Sequence, residues 1–371
     1  MKLTLPFILA SACIVVSCEK PESTTAIVTR VNEHWQQEHA EHNRAFWDEA
    51  VYHTGNVEIA RTMQRNDWLQ YSTDWAEHNN WCGATSNDTA NWQYRTYGES
   101  PDFVLFGDWQ TCFQVYLDLH RIAPDVRRTE RAYAVIDYQI SLLQHDFWWW
   151  CDALYMVMPV MSKMYTLTGN ELYLSKLYEY FSFTDSIMWD AEAGLYYRDA
   201  KYVFPEHKTE AGAKDFWARG DGWVFAALAK VLNDIPEDAV GRDVYLERYR
   251  TIAQSVAACQ TDDGYWTRSM LDNAQAPGPE TSGTALFAFG YMWGVNNGIL
   301  YYDEYKTTIE RAWNYLAYSA VQPDGTVGYV QPIGERAIPG QVVDAQSTAN
   351  FGVGAFLLAA SERIKYENIS H

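Results

Sequence analysis

Two kinds of apolar pattern alternate along the chain, and both have the period of a helix rather than that of a strand. Segments of the first kind, such as 245–259 and 305–318, have one apolar and one charged face. Each is predicted to be an amphipathic helix with one side in water. Segments of the second kind, such as 281–295, are almost uncharged and rich in Ala, Gly and aromatic residues. Since a helix that is apolar on all sides is buried, these segments predict inner helices.

Each kind of segment occurs six times. The predicted inner helices begin near Gly55, Asp108, Asp152, Asp221, Thr281 and Gln346, and the predicted outer helices span roughly 25–42, 67–79, 127–143, 171–187, 243–259 and 303–319. Repetition on this scale indicates stacked helical hairpins. Six hairpins with one buried helix each predict an all-α (α/α)6 barrel, a six-hairpin toroid. An open α-solenoid is the alternative, although its repeats are usually more uniform in length. No linker divides residues 26–371, so they are predicted to form a single domain.

The first 18 residues have the pattern of an export signal. Lys2 precedes an apolar run over residues 3–16, which is too short to cross a bilayer as a helix. The run ends in Val15-Val16-Ser17-Cys18, which resembles a bacterial lipoprotein box. We therefore expect a signal peptide at 1–17, a lipidated Cys18 with a tether over 18–25, and an exported protein whose only membrane contact is this lipid anchor. A soluble periplasmic protein is the alternative.

Charge and cysteine spacing exclude several functions. The 371 residues include 28 Lys and Arg against 48 Asp and Glu, a net charge of −20, so general binding to nucleic-acid phosphates is excluded. Beyond the signal and the anchor, Cys82, Cys112, Cys151 and Cys259 lack the spacing of a zinc site. They are predicted to be buried free thiols, and a disulfide is the alternative in an oxidising compartment.

Aromatic residues are unusually abundant. The chain has 16 Trp, 26 Tyr and 15 Phe, which together make up 15% of it. Either a bulky core or a cleft that stacks on sugar rings would account for them. Trp148, Trp149 and Trp150 directly precede Cys151 and Asp152. Because three consecutive indoles cannot all face one core from a helix, some of them are expected to line a cleft.

Acidic and hydroxyl residues stand at the predicted N-terminal ends of the inner helices. They are Asp108, Asp152, Asp221, Glu280 with Thr281 and Ser282, and Asp344 with Gln346. Each of them could be a simple helix cap. In a toroid, however, these ends meet at one mouth, where crowded carboxylates acquire separate acid and base roles. Arg219, two residues after Trp217, could bind a substrate carboxylate there or pair with a neighbouring Asp.

Four motifs in this order resemble those of glycoside hydrolase family 105, the unsaturated rhamnogalacturonyl hydrolases, which are related to the unsaturated glucuronyl hydrolases of family 88. They are Trp150-Cys-Asp-Ala-Leu-Tyr-Met156, Gly194-Leu-Tyr-Tyr197, Phe216-Trp-Ala-Arg-Gly-Asp-Gly-Trp-Val224 and Glu280-Thr-Ser-Gly-Thr-Ala285. The resemblance covers roughly residues 45–362. It implies an (α/α)6 barrel, the architecture that the helical pattern also predicts.

The resemblance implies a substrate and a reaction. The substrates of these families are oligosaccharides left by polysaccharide lyases, which end in a 4,5-unsaturated uronic acid. An Asp protonates C4 and activates a water that adds at C5, and the resulting hemiketal opens and expels the rest of the sugar chain. The motifs imply that Asp152 is this acid/base, that Asp108 is the second important Asp, and that Trp217 and Arg219 contact the substrate. No metal or organic cofactor is expected.

The chain departs from the family pattern at two places. Around Asp108, Gly107 replaces a second acid and Phe113-Gln114 replaces Gly-Gln. Arg198 stands where many members have a His, so that role is left to His207 or His53. Of the consecutive tryptophans, Trp149 and Trp150 are expected to line the sugar site.

Three other functions are compatible with the same sequence. They are a glycosidase of this fold that acts on saturated sugars, a non-catalytic sugar-binding lipoprotein, and a polysaccharide lyase on a similar toroid. Rhamnose, as in rhamnogalacturonan, and sulfated rhamnose, as in ulvan, both fit as the sugar after the uronate. The net charge of −20 is typical of saline habitats and favours ulvan. The sequence does not indicate an oligomeric state.

Overall fold

A computed structural model of the chain describes residues 22–369; the predicted signal peptide and Cys18 lie outside the described residues. The helices are α1 Thr24–Glu38, α2 Trp47–Met63, α3 Asn66–His78, α4 Gly107–Gln110, α5 Cys112–Ile122, α6 Glu130–Ser141, α7 Asp152–Thr168, α8 Glu171–Met188, α9 Ala218–Asp234, α10 Arg242–Ala258, α11 Thr281–Asn296, α12 Tyr302–Tyr315 and α13 Asn350–Asn368. Strands β1 Trp189–Asp190 and β2 Leu195–Tyr196 form a short antiparallel hairpin. The end of the predicted tether, from Thr24, belongs to α1.

The inner helices form a closed ring. Their order is α2, α4 with α5, α7, α9, α11 and α13; each packs on the next, and α13 packs back on α2. The outer helices are α1, α3, α6, α8, α10 and α12. The two patterns in the sequence correspond to the two layers: α11 is buried from Thr281 to Val295, whereas α12 buries only one stripe of residues. The predicted (α/α)6 barrel is therefore confirmed, and the open solenoid is not.

The ring closes where α2 and α13 cross at two glycines. A Cβ on Gly55 would lie 2.1 Å from the carbonyl oxygen of Gly354, and a Cβ on Gly354 would lie 2.3 Å from that of Val51. No residue with a side chain fits at such a distance, so glycine is required here for close packing rather than for its backbone freedom. The first and last inner helices are thereby in backbone contact.

Two inner helices begin elsewhere than predicted. Helix α2 begins at Trp47 rather than near Gly55. Asp48 and Glu49 interrupt the uncharged pattern, yet acidic residues in a first turn are stabilised by the positive end of the helix dipole. Helix α13 begins at Asn350 rather than near Gln346. Before it, Asp344 accepts a hydrogen bond from Gln346 N at 3.0 Å, which holds a turn instead of starting a helix.

The C-terminal ends of the inner helices carry a charged cluster. Lys163 of α7 donates to Asp118 of α5 at 2.7 Å, and both side chains are buried. Lys230, Lys365 and Glu58 lie beside them around a cavity of about 70 Å³. Because helix C-termini carry partial negative charge, lysines are favourable at this end. The cations of this end are therefore balanced by nearby acids and by the helices themselves.

Two further findings concern the described part of the chain. Within residues 22–369, no helix is both long enough and apolar enough to span a bilayer. Cys82, Cys112, Cys151 and Cys259 are free thiols, and Cys112 and Cys151 are buried.

We expect Gly55→Ala to lower the free energy of unfolding by about 2 kcal/mol or more, because the added methyl would overlap the Gly354 carbonyl and force α2 from α13. Chemical denaturation followed by circular dichroism measures the change. Gly334→Ala is the matched control, since a Cβ there would lie 3.7 Å from its nearest atom, and it should stay within about 1 kcal/mol of wild type. Equal losses in both variants would contradict the proposed closure.

Candidate active site

The N-terminal ends of the inner helices meet at one mouth of the ring, and each contributes a polar side chain. In ring order these are Asp48 of α2, Asp108 of α4, Asp152 of α7, Arg219 of α9, Glu280 at the N-cap of α11 and Asn350 of α13. Two pairs of ring neighbours contact each other: Asn350 donates to Asp48 at 3.0 Å, and Arg219 lies 3.8 Å from Glu280. The closed ring therefore places side chains that are far apart in the sequence at one site.

Asp108 and Asp152 form a buried acidic pair at this mouth. Their exposures are 6% and 8%. Burial, and next to it the charge of Asp152, hold the pKa of Asp108 well above its usual range. Burial also raises the pKa of Asp152, but the Arg198 guanidinium opposes this rise. Both carboxyls are therefore shifted towards their protonated form, Asp108 more strongly than Asp152, which provides the carboxylic acid that general acid catalysis requires.

Asp152 is held in place by the segment that follows β2. It is the first residue of α7, and the preceding Cys151 donates its backbone N–H to the carbonyl of Arg198 at 2.8 Å. Trp150 pairs with Asp199 in an isolated β-bridge. The Cys151 thiol lies 3.5 Å from the Asp152 carboxylate. The start of α7 is thus fastened by backbone hydrogen bonds to the same segment that carries Arg198.

The three consecutive tryptophans have different environments. Trp148 and Trp150 are buried, at 1% and 2% exposure, and Trp150 lies beside Gly107, next to Asp108. Trp149 is half-buried, and its ring centroid lies 6.0 Å from the guanidinium carbon of Arg198. Trp149 is therefore the partly exposed indole of the three, next to Arg198, whereas Trp150 packs against the helix turn that carries Asp108.

Trp217 and Arg219 lie at the start of α9 and are buried, at 2% and 1% exposure. The indole N–H of Trp217 donates to the Gln331 side chain at 2.8 Å. Arg219 donates to the backbone carbonyls of Gln331 and Pro332 at 2.7 and 2.8 Å. Both terminal nitrogens of Arg219 are engaged, and its acidic neighbour is Glu280 rather than a nearby Asp. These residues hold the 331–332 segment against the helix ends.

Two other carboxylates at helix ends are occupied by backbone groups. Glu280 accepts hydrogen bonds from the backbone of Ser282, Gly283 and Gln331. Asp221 is fully buried and accepts from Tyr196 N at 2.8 Å, and burial raises its pKa well above the usual range. Glu280 is therefore the cap of α11, as the simpler interpretation proposes. Asp221 is not a cap, because α9 begins at Ala218 and its N-cap is Trp217; instead it anchors the backbone of β2 to the first turn of α9.

The two histidines considered for the missing family His lie in different places. His207 lies before α9 at the rim of the mouth, where its Nε2 is 2.7 Å from the Asp215 carboxylate and its ring packs edge-on against Tyr202. His53 lies between α2 and α3, where its Nδ1 is 2.9 Å from the Ser72 hydroxyl. Burial lowers the pKa of His53 well below its usual range, so His53 is a neutral residue of the core.

The mouth also contains residues that the sequence pattern does not single out. Glu335, on the loop between α12 and α13, lies 3.4 Å from Arg198. Nothing in the local sequence around Glu335 signals this contact, because the loop folds back over the mouth through tertiary contacts. Asp48 was not recognised as a residue of the mouth because the first inner helix was wrongly predicted to begin near Gly55, whereas it begins at Trp47. Arg198 was signalled by its place after the Gly-Leu-Tyr-Tyr motif, but no role followed from it.

Comparisons with known proteins agree on the family and differ on the chemistry. Residues 21–367 match the model of Glycosyl Hydrolase Family 88. The solved structure of a family 88 glycosyl hydrolase from Bacteroides vulgatus is 59% identical, with a TM-score of 0.90, covering 92% of this chain and 98% of that one. The structure of a polysaccharide lyase is 60% identical, with a TM-score of 0.91, covering 94% and 99%. The unsaturated 3S-rhamnoglycuronyl hydrolase of Formosa agariphila is 32% identical over 333 residues, covering 86% of this chain and 85% of that protein.

We expect Asp108→Asn to be more stable than wild type at pH 7, by on the order of 1 kcal/mol, and the gain to shrink towards pH 4. Because the pKa of Asp108 is raised in the folded protein, folding favours the protonated acid. The free energy of unfolding of wild type therefore falls as the pH rises above about 4, the pKa of an Asp in the unfolded chain. The amide of Asp108→Asn does not ionise, so the variant does not show this fall. Thermal unfolding between pH 4 and 8 measures it.

The control for this comparison is Asp238→Asn, because Asp238 is exposed. It should show no gain that depends on pH. If Asp108→Asn were less stable than wild type throughout this range, the carboxyl would not be the costly buried acid described above.

Proposed function

Since the chain belongs to glycosyl hydrolase family 88, we propose that it releases a 4,5-unsaturated uronic acid from the non-reducing end of oligosaccharides left by a polysaccharide lyase. By family it is a glycoside hydrolase. The observation that carries the proposal is the buried pair Asp108 and Asp152, whose pKa values are both raised by burial, so that a carboxylic acid is available to protonate carbon. The printed name of the Formosa relative, an unsaturated 3S-rhamnoglycuronyl hydrolase, supports this substrate class.

In the proposed reaction the pair moves one proton onto carbon and takes one from water. Asp152 donates a proton to C4 of the enol ether, and positive charge develops at C5 and the ring oxygen. The Asp152 carboxylate then takes a proton from the water whose oxygen bonds to C5. The hemiketal opens and expels the rest of the sugar chain, and Asp152 is again protonated. Because the pKa of Asp108 is raised, Asp108 stays protonated and adds no negative charge beside the Asp152 carboxyl.

A polysaccharide lyase is the second candidate, favoured by the 60% identity to a solved lyase over 94% of this chain. In a β-elimination, a base removes the C5 proton of an intact uronic acid and the C4–O bond breaks, which leaves the 4,5-unsaturated sugar. Such a step needs a cation at the substrate carboxylate, since the developing charge spreads onto it. Arg198, 3.5 Å from Asp152, would meet this need.

We propose rhamnose as the sugar behind the uronate, sulfated as in ulvan. The printed name of the Formosa relative supports the rhamnose, and the net charge of −20 supports a saline habitat. Rates on unsaturated disaccharides that carry rhamnose, sulfated rhamnose or another sugar test this choice. A preference for a sugar other than rhamnose would rule it out.

We also propose that the protein is exported and held at a membrane by a lipid on Cys18. The apolar run over 3–16 and the ending Val15-Val16-Ser17-Cys18 support it. These positions lie outside the residues that the structure describes, so the proposal depends on the sequence pattern.

We expect the wild-type protein, mixed with lyase-generated unsaturated oligosaccharides, to abolish their near-ultraviolet absorbance as the conjugated C4=C5 bond is hydrated. In Asp152→Asn the rate should fall by at least about 10³-fold, because the proton donor to C4 is lost. Circular dichroism should show the fold retained, since the amide has the shape of the acid. Near-normal turnover in Asp152→Asn would refute the assignment.

The same assay separates the candidate reactions. A rise in absorbance on saturated uronate-containing polysaccharides, with no loss on unsaturated ones, would establish the lyase. Activity only on saturated oligosaccharides without a change in absorbance would indicate an ordinary glycosidase, and binding without turnover a carrier. Asp238→Asn serves as the matched control, since this exposed residue lies outside the mouth.

We expect Cys18→Ala to move the protein from the membrane fraction to the soluble fraction of the exporting cell, because the thiol that would carry the lipid is lost. Immunoblots of the two fractions measure this, with Cys259→Ala as the control that stays in place. Unchanged partition in Cys18→Ala would favour the soluble periplasmic alternative.

A further inference from the structure

Arg198 is fastened beside the proposed acid/base residue. Its backbone carbonyl accepts a hydrogen bond from Cys151 N at 2.8 Å, and Cys151 directly precedes Asp152. Its Nε lies 3.5 Å from Oδ2 of Asp152. Backbone contacts as well as charge therefore fix this guanidinium at the reacting groups, although the family pattern assigns no role to an Arg here.

Carboxylates outnumber the cations around Arg198. Its Nη1 lies 2.6 Å from Asp199 and 3.4 Å from Glu335, and Lys201 lies 3.7 and 3.1 Å from the same two acids. With Asp152, three carboxylates share two cations. The other terminal nitrogen of Arg198, Nη2, donates no hydrogen bond to any residue within 22–369. A fourth carboxylate would enter such a cluster only if one of the three left it.

Glu335 is the acid that can leave. The Asp199 side chain is 4% exposed and accepts a hydrogen bond from Lys201 N at 2.8 Å, so the backbone holds it. The Glu335 side chain is 43% exposed. Its partners are the side chains of Tyr202, Lys201 and Arg198, at 2.7, 3.1 and 3.4 Å. Side-chain partners of an exposed loop residue can be exchanged without unfolding a helix.

Arg219 is poorly placed to receive a substrate carboxylate. Its side chain is 1% exposed, compared with 15% for Arg198. Its terminal nitrogens donate to the carbonyls of Gln331 and Pro332. A carboxylate could reach Arg219 only if the 331–332 segment moved, whereas at Arg198 it replaces another carboxylate.

We infer that Arg198 binds the carboxylate of the substrate's terminal uronic acid, and that Glu335 holds the place of this carboxylate in the free enzyme. The inference rests on the proposed function in either form, because hydration and elimination both act on a uronic acid. Binding exchanges one carboxylate for another, so the charge of the cluster does not change. Trp149, with its ring 6.0 Å from the guanidinium carbon, offers a face for the sugar beside it.

The exchange makes the site selective for acidic sugars. A neutral sugar that displaced Glu335 would leave the charge of Arg198 uncompensated. A neutral sugar that left Glu335 in place could not bind next to the Arg198 guanidinium, because the Glu335 carboxylate is already there. Discrimination against neutral sugars thus comes from the internal acid as well as from the arginine.

The test compares turnover of a uronate oligosaccharide with turnover of its methyl ester. We expect wild type to prefer the acid by at least about tenfold in kcat/KM, and Arg198→Gln to lose this preference, mainly through KM, since a charge-assisted hydrogen bond is removed. Arg198→Lys, which keeps the charge, should retain part of it. Glu335→Gln keeps an acceptor for Tyr202 and should lower KM for the acid several-fold, but not when combined with Arg198→Gln.

Arg336→Gln is the matched control, because Arg336 is half-buried and adjoins Glu335 on the same loop. Its acid-to-ester ratio should equal that of wild type. The inference is overturned if Arg336→Gln removes the preference and Arg198→Gln does not. A rise in KM for the acid in Glu335→Gln would overturn the place-holding role.

If no oligosaccharide is turned over, the proposed function fails, and the inference is decided separately by calorimetry with D-glucuronate and D-glucose. The inference is supported if wild type binds glucuronate more tightly than glucose, and if the Kd for glucuronate is at least about tenfold higher in Arg198→Gln than in wild type. Any other result with these two sugars overturns it.

Discussion

The backbone contact of α2 with α13 at Gly55 and Gly354 is the constraint on which the site depends. It turns a row of helical hairpins into a ring, and in a ring the N-terminal ends of all inner helices face one mouth. In an open solenoid the same ends would lie along a curved surface, with Asp48 far from Asn350 instead of 3.0 Å away. Consecutive inner helices bring together Asp108 with Asp152 and Arg219 with Glu280, and closure adds the contact that completes the mouth.

Buried charges are compensated differently at the two ends of the ring. At the C-terminal ends, lysines meet carboxylates and the negative ends of the helices, as in the pair of Lys163 and Asp118. At the mouth, the positive helix ends favour carboxylates, but burial acts against their charge and raises the pKa of Asp108. Buried carboxyls lower the free energy of unfolding at neutral pH, but their raised pKa values keep a proton available at the mouth. At the opposite end, the charges are paired with each other instead.

Part of the site could be predicted from the sequence. Asp108 and Asp152 stand at the starts of uncharged helices, and the motifs around Asp152 indicated the relation to families 88 and 105, which the match over residues 21–367 confirms. The partners of Arg219 could not be predicted. Its acid, Glu280, is 61 residues away in the sequence (280 − 219), and its other partners are backbone carbonyls of a distant loop. Local patterns carry no information on such contacts.

The sequence by itself determined the six alternating buried and amphipathic helical segments, the all-α class and the family, because hydrophobic period and motifs are local properties of the chain. The tertiary structure alone decided that the ring closes, that Trp149 rather than Trp150 is partly exposed, and that Glu335 meets Arg198. These outcomes depend on which surfaces of remote segments fit together. The same reason accounts for the wrong start of α2, since Asp48 and Glu49 are compatible with an inner helix only because its end opens at the mouth.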